Sequence, residues 1–281
     1  MEKDNTKNKV KPINIREVFA EKSPGLARFI PGFIYRFLHR ILHLDFINEI
    51  IEKYGHLQGT AFVDSVVEMF NVTEHLHGLE NIPREGKFIF ASNHPLGGFD
   101  GMLLMKTVEN QLGEFKFLAN DILLNIPQLS PVFVPVNKHG AHAREAARKL
   151  SEVYNSEAQV LIFPYGLASR KVNGKVTDLE WKKHFITKSI QHKRDVIPVF
   201  ISGSNTNRFY RFAKIRKFLR IKWNLEMFLL PDETYRHRNT DVHLYFGKPI
   251  SYKTFDAGKN HSAWAAWVKE QVYELPVKMK R

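Results

Sequence analysis

From residue 87 onward, short runs rich in Phe, Val and Ile alternate with longer amphipathic stretches, and this alternation restricts the fold more than any other feature. The runs fall at 87–92, 115–119, 132–136, 159–163, 196–201 and 242–246, each of strand length. Between them, 101–112, 141–154, 178–192 and 207–219 carry apolar residues at helical spacing, and 262–274 follows the last run. Strands alternating with helices predict an α/β fold: a mixed, mostly parallel central sheet flanked by helices.

The first part of the chain reads differently. Residues 13–56 look helical. Pro31 is suited to open a helix, after which Phe33, Ile34, Phe37, Leu38, Ile41 and Leu42 recur on one face, with Arg36, His39, Arg40 and His43 largely between them. Further helices are predicted at 46–54 and 61–70. The expected organisation is a disordered polar tail at 1–12, a distinct helical region at 13–75 and an α/β domain at 76–281. The longest uncharged stretch, Ile122 to Asn137, contains three prolines and falls short of a lipid-spanning helix. The polar start lacks the apolar core of a signal peptide.

Charge and cysteine content narrow the function. A net charge of +13 predicts an anionic partner: nucleic acid, an anionic lipid surface or a phosphorylated cofactor. With no cysteine, thiolate metal sites, disulfides and a Cys nucleophile are excluded.

The densest chemical signal is Ala91-Ser-Asn-His-Pro-Leu-Gly-Gly-Phe-Asp-Gly101, between a predicted strand and a predicted helix. In α/β sheets, functional groups project from such junctions. Gly97 and Gly98 let the backbone turn tightly and approach a ligand. His94 and Asp100, on the two sides of that turn, are placed to meet. The carboxylate would then fix one tautomer of the imidazole and leave the other nitrogen as a general base. The plainer alternative is a His–Asp pair that only ties down a turn. A second signal, Val160-Leu-Ile-Phe-Pro-Tyr-Gly-Leu-Ala-Ser-Arg-Lys171, ends another strand. Pro164 and Gly166 shape a turn there, and Arg170 and Lys171 set positive charge beside it, for a substrate anion or for solvent. A third, Val196-Ile-Pro-Val-Phe-Ile-Ser-Gly203, reads as a buried strand under the site.

Together and in this order, the three blocks resemble the glycerolipid and lysophospholipid acyltransferase family, over about residues 87–203. The His-Pro-Leu-Gly-Gly-Phe-Asp variant is similar to a bacterial subgroup that acylates lyso-aminolipids. The resemblance implies that His94 is the general base, Asp100 its orienting carboxylate and Asn93 the residue preceding the base. It places Gly166 and Arg170 in the acceptor-binding block, and Asn120, Asp121, Pro127 and Lys138 in the middle block. Two departures stand out. Five residues separate His94 from Asp100 where four are commonest, and Gly97-Gly98 offers room to absorb the extra one. Tyr165 replaces the usual Glu between Pro164 and Gly166, which bears on the acceptor headgroup. The implied reaction takes an acyl chain from acyl-CoA or acyl-carrier protein to a lysolipid hydroxyl, with no permanently bound cofactor. Backbone N–H groups near the glycine turn are expected oxyanion donors. The implied location is peripheral, on the cytoplasmic face of a bacterial inner membrane.

Two stretches suit an anionic membrane surface. One holds Phe33, Arg36, Phe37 and Arg40. The other runs from Asn207 to Trp223 and places Arg208, Arg211, Lys214, Arg216, Lys217, Arg220 and Lys222 among aromatic residues, with no acid between them. Each also reads as a packed helix with a solvated basic face. The rivals are a nucleic-acid binder, which rests on charge without a recognisable module, and a lipid-binding protein without catalysis. No metal site is expected: His75-Leu-His77 and His139-Gly-Ala-His142 lack further ligands and read as surface or loop histidines. The segment 178–183 is expected to start a helix with Asp178 near its N-terminal end.

Overall fold

The structure, a computed structural model, describes residues 12–119, 126–136, 143–221 and 224–279. The expected tail up to residue 11, together with Asn120, Asp121, Lys138, His139, His142, Lys222 and Trp223, lies outside the described residues.

Five helices come first: α1 (Ile15–Lys22), α2 (Pro24–Ala27), α3 (Gly32–Ile41), α4 (Leu44–Tyr54) and α5 (Gly59–Phe70). There follow β1 (Thr73–His77), β2 (Phe88–Ser92), α6 (Phe99–Leu112), β3 (Phe115–Ala119), β4 (Phe133–Pro135), α7 (Ala143–Asn155) and β5 (Gln159–Ile162). The hairpin β6 (Arg170–Val172) and β7 (Lys175–Thr177) leads to α8 (His184–His192), β8 (Asp195–Ile201), α9 (Asn207–Phe218), α10 (Leu230–Tyr235), β9 (Asp241–Phe246) and α11 (His261–Lys278).

Seven strands form one sheet in the order β1-β9-β8-β2-β5-β3-β4. Only the β8–β9 pairing is antiparallel, as the mixed, mostly parallel expectation has it. The apolar runs follow from burial on both faces. In β2, Phe88 and Phe90 join the core shared with α5 and α6, while Ile89 and Ala91 join the core shared with α8 and α11. A strand sandwiched in this way needs apolar side chains at every position rather than at alternate ones.

This layering positions the site. The helices that follow β2 and β5 lie on opposite faces of the sheet: Leu103 and Leu104 of α6 in one core, Phe185 and Ile186 of α8 in the other. Adjacent strands whose connections leave to opposite faces part at their carboxyl ends and open a crevice. His94 and Phe163 follow those two ends.

Two expectations need correction. The first is the boundary at 75/76, which falls inside β1. That strand pairs with β9 from Thr73↔Asp241 to His77↔Tyr245. Val63, Val66 and Val67 of α5 belong to the same core as α6, so the helical region is continuous with the sheet's packing. The second is the helix predicted from residue 178, which begins at His184. Residues 178–183 take another route because the Asp178 carboxylate is drawn inward, beneath the crevice.

Candidate active site

The turn after β2 is built around one carboxylate. Asp100 stands in the first turn of α6 with its side chain fully buried. It accepts four hydrogen bonds: from His94 Nδ1 at 2.9 Å, Leu96 N–H at 2.9 Å, and the N–H groups of Gly98 and Gly101, each at 3.0 Å. Gly97 gives the turn its shape, with φ at 74°, a conformation that favours glycine; a Cβ there would also stand 2.5 Å from Leu230 Cδ2 of α10, which would have to shift. The extra residue between His94 and Asp100 is absorbed here. Three N–H groups of this turn are spent on Asp100, so Leu96, Gly98 and Gly101 are not the oxyanion donors expected of it.

An ionised carboxylate only accepts, so in the neutral His94 imidazole Nδ1 carries the proton and Nε2 keeps its lone pair, while in the protonated ring Nδ1 still donates to Asp100. Burial alone would push the Asp100 carboxyl up. The neighbouring His94 charge and hydrogen bond, with the Leu96 and Gly98 N–H groups, outweigh it and hold the group below the usual carboxylate range. The His94 side chain is 14% exposed. Phe163 stacks on one face at 4.0 Å between centroids and 17° between planes, closing that side to water. Asn93 works behind the site: its side chain donates to Ile201 C=O at 2.9 Å and accepts from Ile201 N–H at 2.7 Å, locking the end of β8 to the end of β2.

The second block lies against the first. Gly166, at φ 76°, closes a turn in which its N–H donates to Phe163 C=O at 2.9 Å. Tyr165 is half-buried beside that turn, and burial pushes its hydroxyl pKa up. Ser169 N–H donates to His94 C=O at 2.7 Å, and its Oγ donates to Asp178 at 2.6 Å. Arg170 is held by internal partners. It donates to Ala168 C=O at 2.5 Å and to the fully buried Glu226 at 2.8 Å, with only 12% of its side chain exposed. Lys171 is engaged too, donating to Asn207 at the start of α9 at 2.9 Å. These two cations tie the hairpin to Glu226, in the turn before α10, and to the start of α9.

The predicted membrane contacts divide the same way. Phe33 and Phe37 are exposed, flanked by exposed Arg36 and Arg40. Arg211, Lys214 and Lys217 are also exposed, beside Phe212, Ile215 and Phe218. Arg216 is not a surface contact: it pairs with Glu226 at 2.6 Å and is 16% exposed, because a buried carboxylate needs the charge. Arg208 pairs with Asp232, which also binds His43 at 2.7 Å and thereby joins α9 and α10 to the α3–α4 turn. His75 meets Asp241 at 3.3 Å and His77 meets His243 at 3.0 Å, so both serve the β1–β9 edge. Pro127 opens a short turn whose Gln128 donates to Gly55 C=O at 3.2 Å, a packing role rather than a site role. Sequence reasoning missed Phe163 as a ring partner and Asp178 as a buried acceptor. The aromatic ending a strand was a signal for the first, and nothing local marked the second.

Comparison with known proteins places the whole chain. Residues 17–279 match the family described as Acyltransferase. The lyso-glycine lipid O-acyltransferase of Bacteroides thetaiotaomicron is 40% identical over 94% of this chain and 97% of that protein. That of Phocaeicola vulgatus is 38% identical over 94% of this chain and 95% of that protein. The crystal structure of the 1-acyl-sn-glycerophosphate acyltransferase from Thermotoga maritima covers 85% of this chain and 95% of that one, at 20% identity and a TM-score of 0.49. A match spanning nearly the whole chain, on a fold whose central crevice holds a His–Asp pair, fixes the family: this protein is an enzyme of the acyltransferase family.

Proposed function

We propose that the enzyme transfers a fatty acyl chain from acyl-CoA or acyl-carrier protein to the hydroxyl of a lyso-aminolipid, with lyso-glycine lipid the first candidate acceptor. The observation that carries this reading is the 2.9 Å bond between His94 Nδ1 and Asp100, which leaves Nε2 free at the crevice. The names of the two relatives support the acceptor class. His94 Nε2 removes the acceptor's hydroxyl proton as that oxygen attacks the thioester carbonyl carbon. The C–O bond forms, the C–S bond breaks, and the imidazolium returns the proton to the leaving thiolate. Asp100 stabilises the imidazolium in between. Tyr165, where Glu is commonest, gives the acceptor side a half-buried hydroxyl in place of a carboxylate, which favours an acceptor that needs no acidic partner. Asn93, Gly97, Gly98 and Gly166 shape the backbone around the acceptor. Arg170 and Lys171 fix the wall beside the acceptor.

The same reading places the enzyme peripherally on the cytoplasmic face of a bacterial inner membrane. Among the described residues, no helix is long and apolar enough to cross a bilayer. Two surfaces supply anchors. On α3, Phe33 and Phe37 insert while Arg36 and Arg40 meet anionic headgroups; on α9, Phe212, Ile215 and Phe218 do so with Arg211, Lys214 and Lys217. Each cation near an anionic leaflet contributes about 1 kcal/mol.

The test is labelled acyl transfer on anionic vesicles, with lyso-phospholipids and lyso-aminolipids as acceptors and acyl-CoA or acyl-carrier protein as donor. Wild type is expected to acylate a lyso-aminolipid, and His94→Ala to lose at least about 10²-fold in rate while still pelleting with vesicles. Undiminished transfer by His94→Ala overturns the general-base assignment. Vesicle binding by a wild type that acylates no lipid favours a lipid-binding protein without catalysis.

A further inference from the structure

Beneath His94 lies a second buried carboxylate that the proposed reaction does not use. We propose that Asp178 is a positioning residue: with Ser169 it clamps the His94 backbone from both sides, holding the imidazole in register with Asp100. The inference rests on the reading of His94 as the base.

The clamp is defined by its bonds. Asp178 Oδ1 accepts from Ser169 Oγ at 2.6 Å and from His94 N–H at 3.4 Å. Ser169 N–H in turn donates to His94 C=O at 2.7 Å. The peptide groups on either side of the His94 Cα are thus held by one pair of residues. Asp178 Oδ2 accepts from Trp181 Nε1 at 2.8 Å, and Trp181 is itself buried in the core under the sheet. The main chain of Asp178 is fixed as firmly. Its N–H donates to Tyr273 Oη at 2.7 Å, and its carbonyl accepts from Lys269 Nζ at 2.5 Å, both from α11. The base is thereby anchored to the helix that closes the opposite face of the sheet.

Every group bonded to the Asp178 carboxylate is a donor, the pattern that suits its ionised form. A neutral amide would satisfy only part of it, because an NH₂ would face Trp181 Nε1–H or the Ser169 and His94 donors. Burying a charge is unfavourable unless the surroundings use it. Here the use is electrostatic: a fixed negative charge beneath the base favours the imidazolium that forms when His94 takes the proton. Asp100 meets the ring through a direct bond, whereas Asp178 bonds the His94 backbone and acts on the ring only through space; burial pushes its carboxyl up, and the bonds from Ser169 and Trp181 favour its charged form. The other titratable groups around them are Lys269, Tyr273 and Tyr165 near Asp178, and His237 near Asp100.

The test is Asp178→Asn in the full-length enzyme, read by kinetics and by NMR titration of the His94 imidazole. We expect kcat to fall about 10²-fold, KM for the lysolipid to stay put, and the acid limb of the kcat/KM profile to move to lower pH. The His94 titration midpoint should move the same way, since the variant lacks the charge that favours the imidazolium. A merely structural role would move melting temperature and leave the limb and midpoint in place, and that result overturns the proposal. The NMR titration needs no turnover, so it tests the clamp even if wild type acylates no lipid, the result that sinks the general-base reading. If Asp178→Asn does not fold, Ser169→Ala decides: reduced kcat at constant KM supports the clamp, and wild-type kcat overturns it.

Discussion

Asp100 and Asp178 are both fully buried carboxylates bonded to the same histidine, yet they arise from opposite kinds of structure and titrate in opposite directions. Asp100 lies six residues beyond His94 and is satisfied by its own turn: one ring nitrogen and three backbone N–H groups converge on it. Asp178 lies 84 residues away, beyond a hairpin, and reaches only the backbone of His94. Burial pushes both carboxyls up. For Asp100 the direct His94 contact and backbone donors reverse the shift. For Asp178 the bonds from Ser169 and Trp181 and the more distant His94 charge only blunt it. Burial alone therefore does not decide how a carboxylate behaves in a site. What decides is whether a cation and several backbone donors are in direct contact with it.

The comparison is broken most severely by Asp100→Asn. The amide no longer enforces the Nδ1–H tautomer, so kcat should fall about 10³- to 10⁴-fold, well beyond the loss expected for Asp178→Asn. Comparable losses for the two variants would erase the distinction between orienting the ring and holding the backbone. A smaller effect is expected from Glu226→Gln, a third fully buried carboxylate, which neutralises Arg170 and Arg216 outside the catalytic turn. Leaving two guanidinium groups with a neutral partner should cost about 3 kcal/mol in urea unfolding, while the acid limb of the activity profile keeps its position.

The smallest and most discriminating effect is on acid stability. The folded pKa of Asp100 lies below its unfolded value of about 3.9. Its contribution is thus present above that pH and is lost as pH falls through the folded value. The folded pKa of Asp178 is raised, so its effect has the opposite sign: stability declines as pH rises from about 3.9 through the folded value. Unfolding curves between about pH 3 and 6 should therefore be less steep toward acid in Asp100→Asn and steeper in Asp178→Asn than in wild type. Parallel changes in the two variants would contradict the opposite shifts.

How much was legible in the sequence follows the same division. The runs at 115–119, 159–163, 196–201 and 242–246 became strands within a residue at each end, because burial on both faces wrote itself as mostly apolar sequence. The strand Thr73–His77 was missed. It is an edge strand with four of its five residues polar or charged, and its identity comes from pairing with β9, not from composition. The hairpin 170–177 was missed although its signal was present. Asn173-Gly174, both at positive φ, form the two-residue turn that pairs Arg170 with Thr177.

The sequence by itself determined the sheet class, the glycine turn and the pairing of His94 with Asp100, because all three rest on residues close in the chain whose spacing carries the geometry. Only the tertiary structure decided which cations are free. Arg170, Arg208 and Arg216 look no different in the sequence from Arg211, Lys214 and Lys217, yet the first three are drawn to Glu226 and Asp232, since carboxylates taken from water need counter-charges. It also decided that Asp178 lies under the base. No local pattern encodes that contact, because it exists only once the hairpin, α11 and the end of β2 have packed together.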